Sequence, residues 1–266
     1  MKIIISPAKK MRVDANTLEV RHMPVFIEKA DKLRAYLREI PFDELKDLLG
    51  CNGRLAALNY ARYQDMDLYN KAFTPAILAY DGVQYQYMAP QIFEDRYFTY
   101  VDKHLRILSG LYGMLRPLDG VVPYRLEMRA RLKTDFCRSL YNFWGDSIYR
   151  ELVRDDNVIL NLASQEYSRT IEKFLRPEVQ YVSCTFGEIE NGGVREKGVY
   201  VKMARGEMVR FMAENNITDI EDIKAFNRLG FGYCDAVSDK ERFVFLREKT
   251  GGSGDGKGKA ADDIAE

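Results

Sequence analysis

Histidine is nearly missing from this chain. His22 and His104 are the only two in 266 residues, which leaves little material for imidazole catalysis or a histidine metal site. Cysteine is scarce as well. Cys51, Cys137, Cys184 and Cys234 are scattered without a CxxC pair, a usage that argues against a zinc site or a disulfide framework and suits a reducing cytosol. Neither sign of charge is in excess, with 40 Lys+Arg against 40 Asp+Glu, so net charge carries no nucleic-acid signal and any such contact must come from local segregation. No apolar run approaches the roughly 18 residues of a membrane span, and Met1-Lys2-Ile3-Ile4-Ile5 turns polar too soon for a signal peptide. These absences predict a soluble cytoplasmic protein with no metal, no cofactor and no membrane partner.

What is present can build a large core: 46% of residues are hydrophobic and 12% aromatic. Lys2–Ile5, the run from Arg106 to Leu108, and Val158 to Leu162 read as short buried strands, and Ala76 to Tyr80 reads as another. Helical spacing runs from Met23 to Ile40, over Phe42–Leu49 and Arg54–Tyr63, from Leu140 to Val153, and onward from Ser164. After Val179 the period becomes two, and Asn191-Gly192-Gly193 predicts a hairpin returning through Val199 and Val201. Thr218 with Glu221 has the form of a capping box. Phe231–Val237 and Phe243–Leu246 predict a last hairpin. The expected architecture is mixed α/β (α+β): one domain over residues 1–249, a central mixed sheet with surrounding helices, and a Gly-rich disordered tail over 250–266.

Three groups of residues could carry function. The first is the turn Gly50-Cys51-Asn52-Gly53-Arg54 between two helical segments, spanning about residues 42–63. It fits a helix-hairpin-helix, in which a tight positive-φ turn presents backbone N–H groups to a phosphate. Asn52 would stand in for a second glycine, and Arg54 would add charge. A plain αα-hairpin fits the same residues. The second group is segregated charge: Arg116, Arg125, Arg129, Arg131 and Lys133 against two acids, and Arg195, Lys197, Lys202, Arg205 and Arg210 against two. On one face these would make an electrostatic footprint for nucleic acid; separately, each is an ordinary solvated face. Tyr112 and Tyr124 interleave with the arginines as stacking on bases would require, or belong to the core.

The third group lies at strand ends, where open α/β sheets bind ligands. Ser6 and Lys9 follow the first strand, Ser109 follows the second, and Asn161, Ser164, Glu166 and Tyr167 end or follow the third. Lys9 could bind an anion or act as a base or nucleophile if desolvated; it also fits a surface lysine. Ser164 fits an N-cap. Lys9, Ser109, Ser164 and Glu166 are the candidates for chemistry, and Ser6, Tyr80, Tyr112, Asn161 and Tyr167 for a pocket wall. No Ser-His-Asp set is credible, and nothing in the sequence brings Glu127 to Glu166.

Read in order, the chain resembles the YaaA peroxide-stress family across about residues 1–249. The resemblance rests on Ser6-Pro7-Ala8-Lys9, Leu55-Ala56-Ala57-Leu58-Asn59 with Arg62, and Ala76-Ile77-Leu78-Ala79-Tyr80 with Gly82 and Tyr85. It continues through the apolar Gly/Pro/Arg loop from Leu108 to Met128, Leu140-Tyr141 with Phe143-Trp144-Gly145-Asp146, Asn161-Leu162-Ala163-Ser164 with Glu166-Tyr167, and Ala204-Arg205-Gly206 with Met208 and Arg210. It implies a mixed α/β fold with a helix-hairpin-helix and a basic cleft, double-stranded DNA binding, and a role in limiting iron-dependent damage under peroxide. The preferred expectation is therefore a monomeric, non-enzymatic DNA-binding protein. Gly50, Gly53 and Arg54 would grip the backbone while Lys9, Arg116, Tyr124, Arg125, Lys202, Arg205 and Arg210 line the cleft. The alternative is an enzyme acting on nucleic acid or a nucleotide around Lys9, Ser109 and Ser164.

Overall fold

Ile3, Ile4 and Ile5 are all fully buried. An unbroken apolar run has no face to give to water, so Lys2–Ile5 belongs inside a sheet covered on both sides. The structure, a computed structural model, describes residues 1–248 apart from 15 and 71; the tail expected over 250–266 lies outside the described residues. Its main sheet has eight strands. Seven run in the order Phe231–Tyr233, Arg242–Arg247, Gln180–Glu190, Val158–Leu162, Lys2–Ile5, Leu105–Ser109 and Gly113–Leu115, and Gly193–Arg195 pairs with Gln180–Glu190. The five inner strands are mutually parallel, and the three remaining strands pair antiparallel.

The chain leaves Lys2–Ile5 toward Leu105–Ser109 on one side and leaves Val158–Leu162 toward Gln180–Glu190 on the other. The two connections diverge, and a crevice opens at the carboxyl ends of the two strands between them. The longest helix, Gly198–Glu214, packs against Val83–Met88, Asp95–His104 and the strand Gln180–Glu190.

Several sequence expectations need correction. Ala76–Ala79 is one buried helical turn rather than a strand, leading into Tyr80–Asp81, which pairs with Lys10–Met11. An apolar run without alternation does not distinguish the two forms. Leu140 to Val153 is two short helices, Leu140–Trp144 and Ser147–Leu152, broken at Gly145 with φ 52. The hairpin turn at Asn191-Gly192 forms with both residues at positive φ. Its return strand, however, covers only Gly193–Arg195, and Val199 and Val201 lie on the following helix. The Thr218–Glu221 capping box does not form. Asp219 Oδ1 accepts the Glu221 N–H at 2.9 Å, at the start of a 3-10 helix over Glu221–Ala225. In the last hairpin Phe231–Tyr233 pairs with Phe245–Arg247, and Asp235–Val237 is a 3-10 turn.

Phe42–Leu49 and Gly53–Gln64 make a helical hairpin. Gly50 closes the first helix in the left-handed region (φ 54), its N–H shared between the carbonyls of Lys46 at 3.0 Å and Asp47 at 3.2 Å. The other turn positions differ from expectation. Asn52 is extended, with φ −68, and its Oδ1 accepts the Leu55 N–H at 3.0 Å. It therefore works as an N-cap and not as a left-handed substitute for glycine. Gly53 opens the helix without a positive φ. A Cβ at either glycine would meet nothing within 4 Å, so backbone conformation alone separates them. Gly50→Ala should cost about 1–2 kcal/mol of stability, whereas Gly53→Ala should be neutral or stabilising by up to about 1 kcal/mol. Urea unfolding of the two variants checks this; equal losses would contradict the conformational argument.

Candidate functional site: a charged cleft at the strand ends

Where the two central strands end, their loops are tied together. Ser6 Oγ accepts the Ser164 N–H at 2.8 Å and donates to Ser164 Oγ at 3.1 Å. Ser164 does occupy the N-cap position of Gln165–Glu172, but its hydroxyl makes no capping bond; the loop from the neighbouring strand has taken it instead. Tyr85 adds a third tie, donating to the Ser6 carbonyl at 2.9 Å. Above this clasp lies a cleft of about 600 Å³.

Its wall carries six cationic side chains, Lys9, Lys10, Arg125, Arg129, Lys202 and Arg205, against three acidic ones, Asp81, Glu127 and Glu166. The acids are all engaged. Glu127 holds Lys9 at 2.8 Å and Arg125 at 3.0 Å. Glu166 accepts the Arg129 backbone N–H at 3.2 Å, with the guanidinium at 3.5 Å. Asp81 pairs with Lys10 at 2.5 Å. Arg129 also approaches Glu127 at 3.7 Å, so one arginine bridges the two glutamates whose meeting the sequence could not show. Lys202 is exposed and Arg205 lies one turn further along the same helix. Neither has an ion-pair partner within 4.0 Å among the described residues. Burial lowers the Arg205 pKa. Three buried donors here, Gln84 Nε2, Arg125 Nε and Arg205 Nε, also have no hydrogen-bond partner among the described residues.

Ser6, Lys9, Tyr124, Arg125, Ser164, Glu166, Tyr167, Lys202 and Arg205 thus share one cleft, although more than 190 positions separate the first from the last. Other expected members are placed elsewhere. Ser109 is fully buried behind the cleft: its Oγ lies 2.6 Å from the Tyr124 hydroxyl and accepts the Tyr112 N–H at 2.9 Å. Tyr80 joins the same chain at 2.8 Å from Tyr124, and the Tyr112 hydroxyl accepts the Val122 N–H. Burial pushes the Tyr124 phenol up to about 12 and raises Tyr80 and Tyr85 as well, so these phenols are neutral hydrogen-bonding posts. Asn161 is spent on Ala163 and Ser183. Arg210 pairs with Glu214 at 2.7 Å, outside the cleft. Gly50 borders a separate shallow depression with Lys46, Cys51, Arg131 and Lys133, while Gly53 and Arg54 are exposed beside it.

Lys9 is 57% exposed and ion-paired, without the desolvation that activates a lysine. Among the described residues no group of three or more His, Cys, Asp or Glu could hold a metal ion, and no helix is long and apolar enough to cross a membrane. The Cys184 thiol is buried and its pKa raised, the opposite of a peroxide-reactive thiolate.

A family model described as "Peroxide stress protein YaaA" matches residues 1–237. The chain belongs to the YaaA peroxide-stress family. Relatives of this YaaA-family protein carry the name UPF0246 protein. One from Desulfitobacterium hafniense is 64% identical over 93% of this chain and 98% of its own length. Others from Agathobacter rectalis and Pediococcus pentosaceus are 48% and 45% identical, over 93% and 94% of this chain and 99% of their own lengths.

Arg116, the remaining expected cleft residue, instead secures the apolar loop of the YaaA-family pattern. Asp119 accepts its backbone N–H at 2.8 Å and its Nε at 3.1 Å. The Asp119 carboxyl is 1% exposed, and desolvation outweighs both bonds, raising its pKa from 3.8 to about 6. The folded protein therefore retains a proton that the unfolded chain releases between these values. This contribution to stability is full in acid and is lost as pH rises from about 4 to about 6, a difference of up to about 3 kcal/mol. Asp119→Asn removes the titration. The unfolding free energy of wild type relative to the variant should fall between pH 4 and 6.5, and parallel urea profiles would refute the assignment.

Proposed function

We propose that this protein binds duplex DNA through its phosphate backbone, without sequence preference, as a cytoplasmic monomer that limits iron-dependent damage during peroxide stress. Membership of the peroxide-stress family supports the physiological setting. The observation that carries the DNA reading is the course of residues 125–133. Arg125 and Arg129 lie in the cleft, while Arg131 and Lys133 border the depression beside Gly50. One short segment therefore links cleft and hairpin with four cations. It is anchored to the hairpin, because the Tyr63 hydroxyl on Gly53–Gln64 donates to the Arg125 carbonyl at 2.8 Å. Asn52 takes the Leu55 N–H, and the N–H groups of Gly53 and Arg54 with the exposed Arg54 side chain complete a phosphate grip. Contacts of this kind position a protein on DNA without reading bases.

A catalytic reading finds less support. Ser109 lies behind Tyr124, Ser164 is clasped by Ser6, and Lys9 is paired with Glu127. Fluorescence anisotropy with two unrelated duplexes tests the binding. Arg131→Ala combined with Lys133→Ala should weaken both complexes alike and reduce the slope of log affinity against log salt by about two; Arg54→Ala should reduce it by about one. If a folded triple variant kept wild-type affinity and slope, the hairpin would be a structural element and the grip would lie elsewhere; a wild-type protein that bound neither duplex would overturn the DNA reading.

A further inference from the structure

The ion pairs of the cleft leave an asymmetry. At the Lys9–Glu127–Arg129–Glu166 end, every acid already faces a cation. At the helix Gly198–Glu214 end, Lys202 and Arg205 have no ion-pair partner within 4.0 Å among the described residues, and the main opposing charge acting on Arg205 is Glu196. Buried polar groups are almost always hydrogen-bonded, and each exception asks for a cause. Here three of the four such atoms among the described residues line one cleft: Gln84 Nε2, Arg125 Nε and Arg205 Nε. All three are donors, so what satisfies them must bring acceptor atoms. Guanidinium cannot discard its charge, so an anionic acceptor suits Arg205 best.

The chain also enforces this arrangement. Gly206 packs so closely on Val83–Met88 that a Cβ there would overlap the Gln84 carbonyl oxygen and stand 2.9 Å from the Met88 nitrogen. Ala204 and Met208 are fully buried on the same helix. Ala-Arg-Gly is therefore a contact that drives two helix backbones together and places the Arg205 and Gln84 donors on one wall. A protein that needed only a packed interface would gain nothing from an unpaired guanidinium there.

We propose that the cleft binds one phosphate-bearing ligand of nucleotide size, its phosphate held by Arg205, Lys202 and Gln84. Phosphate suits the site because several charged and neutral donors come together with a surplus of cations, and arginine matches its geometry. The cleft volume of about 600 Å³ falls within the range of small-ligand pockets. Toward Glu127 and Glu166 the paired charges favour a neutral polar group offering both donors and acceptors, as a nucleobase edge does. Tyr85, Tyr124 and Tyr167 line the space between. The same chemistry is offered by a free nucleotide and by an unpaired nucleotide within a DNA strand. Arg125 borders both, but the phosphate end at Arg205, Lys202 and Gln84 shares no residue with the grip at Arg54, Arg131 and Lys133, so either can fail without the other.

Calorimetric titration with the four 2′-deoxynucleoside 5′-monophosphates, inorganic phosphate and glucose 6-phosphate tests the proposal. A matched duplex and a duplex with one unpaired nucleotide are compared in parallel. Arg205→Met should weaken nucleotide binding by about tenfold or more, the loss expected for a charged hydrogen bond, and Gln84→Met should weaken it less. Arg54→Ala should leave it unchanged. Arg205→Met should also keep or raise the melting temperature, because a half-buried charge with no ion-pair partner among the described residues is removed; a structural arginine would lower it. Nucleotide binding that depends on Arg205 supports the free ligand. An Arg205-dependent preference for the unpaired duplex, without free-nucleotide binding, supports the strand-borne one. If neither depends on Arg205, if inorganic phosphate or glucose 6-phosphate binds as tightly as the nucleotides, or if Arg205→Met melts early, the proposal is overturned.

Discussion

The parallel pairing of Lys2–Ile5 with a strand on either side is the constraint on which the molecule depends. Three fully buried isoleucines leave that strand no position except the interior of the sheet. Val158–Leu162 on one flank and Leu105–Ser109 on the other then fix which loops emerge together. Ser6 and Ser164 meet because they follow adjacent parallel strands, and the cleft opens above them because the next connections run apart. The site therefore follows from strand order before any charged residue is considered.

Electrostatics then divides the cleft. Acids and cations at one end neutralise one another through Glu127 and Arg129, which limits the cost of placing so much charge at a partly enclosed surface. At the other end a helix backbone, admitted by Gly206, presents arginine and amide donors without acids to match. The tyrosines beneath are held neutral by burial and linked through hydroxyls at 2.8 and 2.6 Å from Tyr80 to Tyr124 to Ser109. They make a rigid floor without an ionisable nucleophile.

Much of this was legible in the sequence, for physical reasons. Lys2–Ile5 and Val158 to Leu162 are short apolar runs with breakers after them, and the strand-end rule selected Ser6, Lys9, Ser164 and Glu166 from residue type and position. Ala76 to Tyr80 misled because a buried helical turn and a buried strand have the same composition. Leu140 to Val153 misled because helical spacing continues across Gly145, whose left-handed φ is a tertiary choice. Arg116 and Arg210 were grouped with the cleft cations by sequence proximity, but each is claimed by a nearby acid, Asp119 or Glu214. Gln84 was missed altogether. An amide on a short helix gives no signal until Gly206 brings a second helix against it.

The central position of Lys2–Ile5 also dictates the order of assembly. Its two partners follow it by about 100 and 155 residues in register, so Lys2–Ile5 has no partner until Leu105–Ser109 is made and stays open on its other edge until Val158–Leu162 follows. Contacts that span such sequence distances slow folding, since loop closure must precede any gain from pairing. Through that interval Ile3-Ile4-Ile5 stays an unsatisfied apolar segment with a free edge, the kind of species chaperones bind during synthesis. A chain released before Leu162 would contain the hairpin and its cations, yet lack the strand needed to close the sheet around its own beginning.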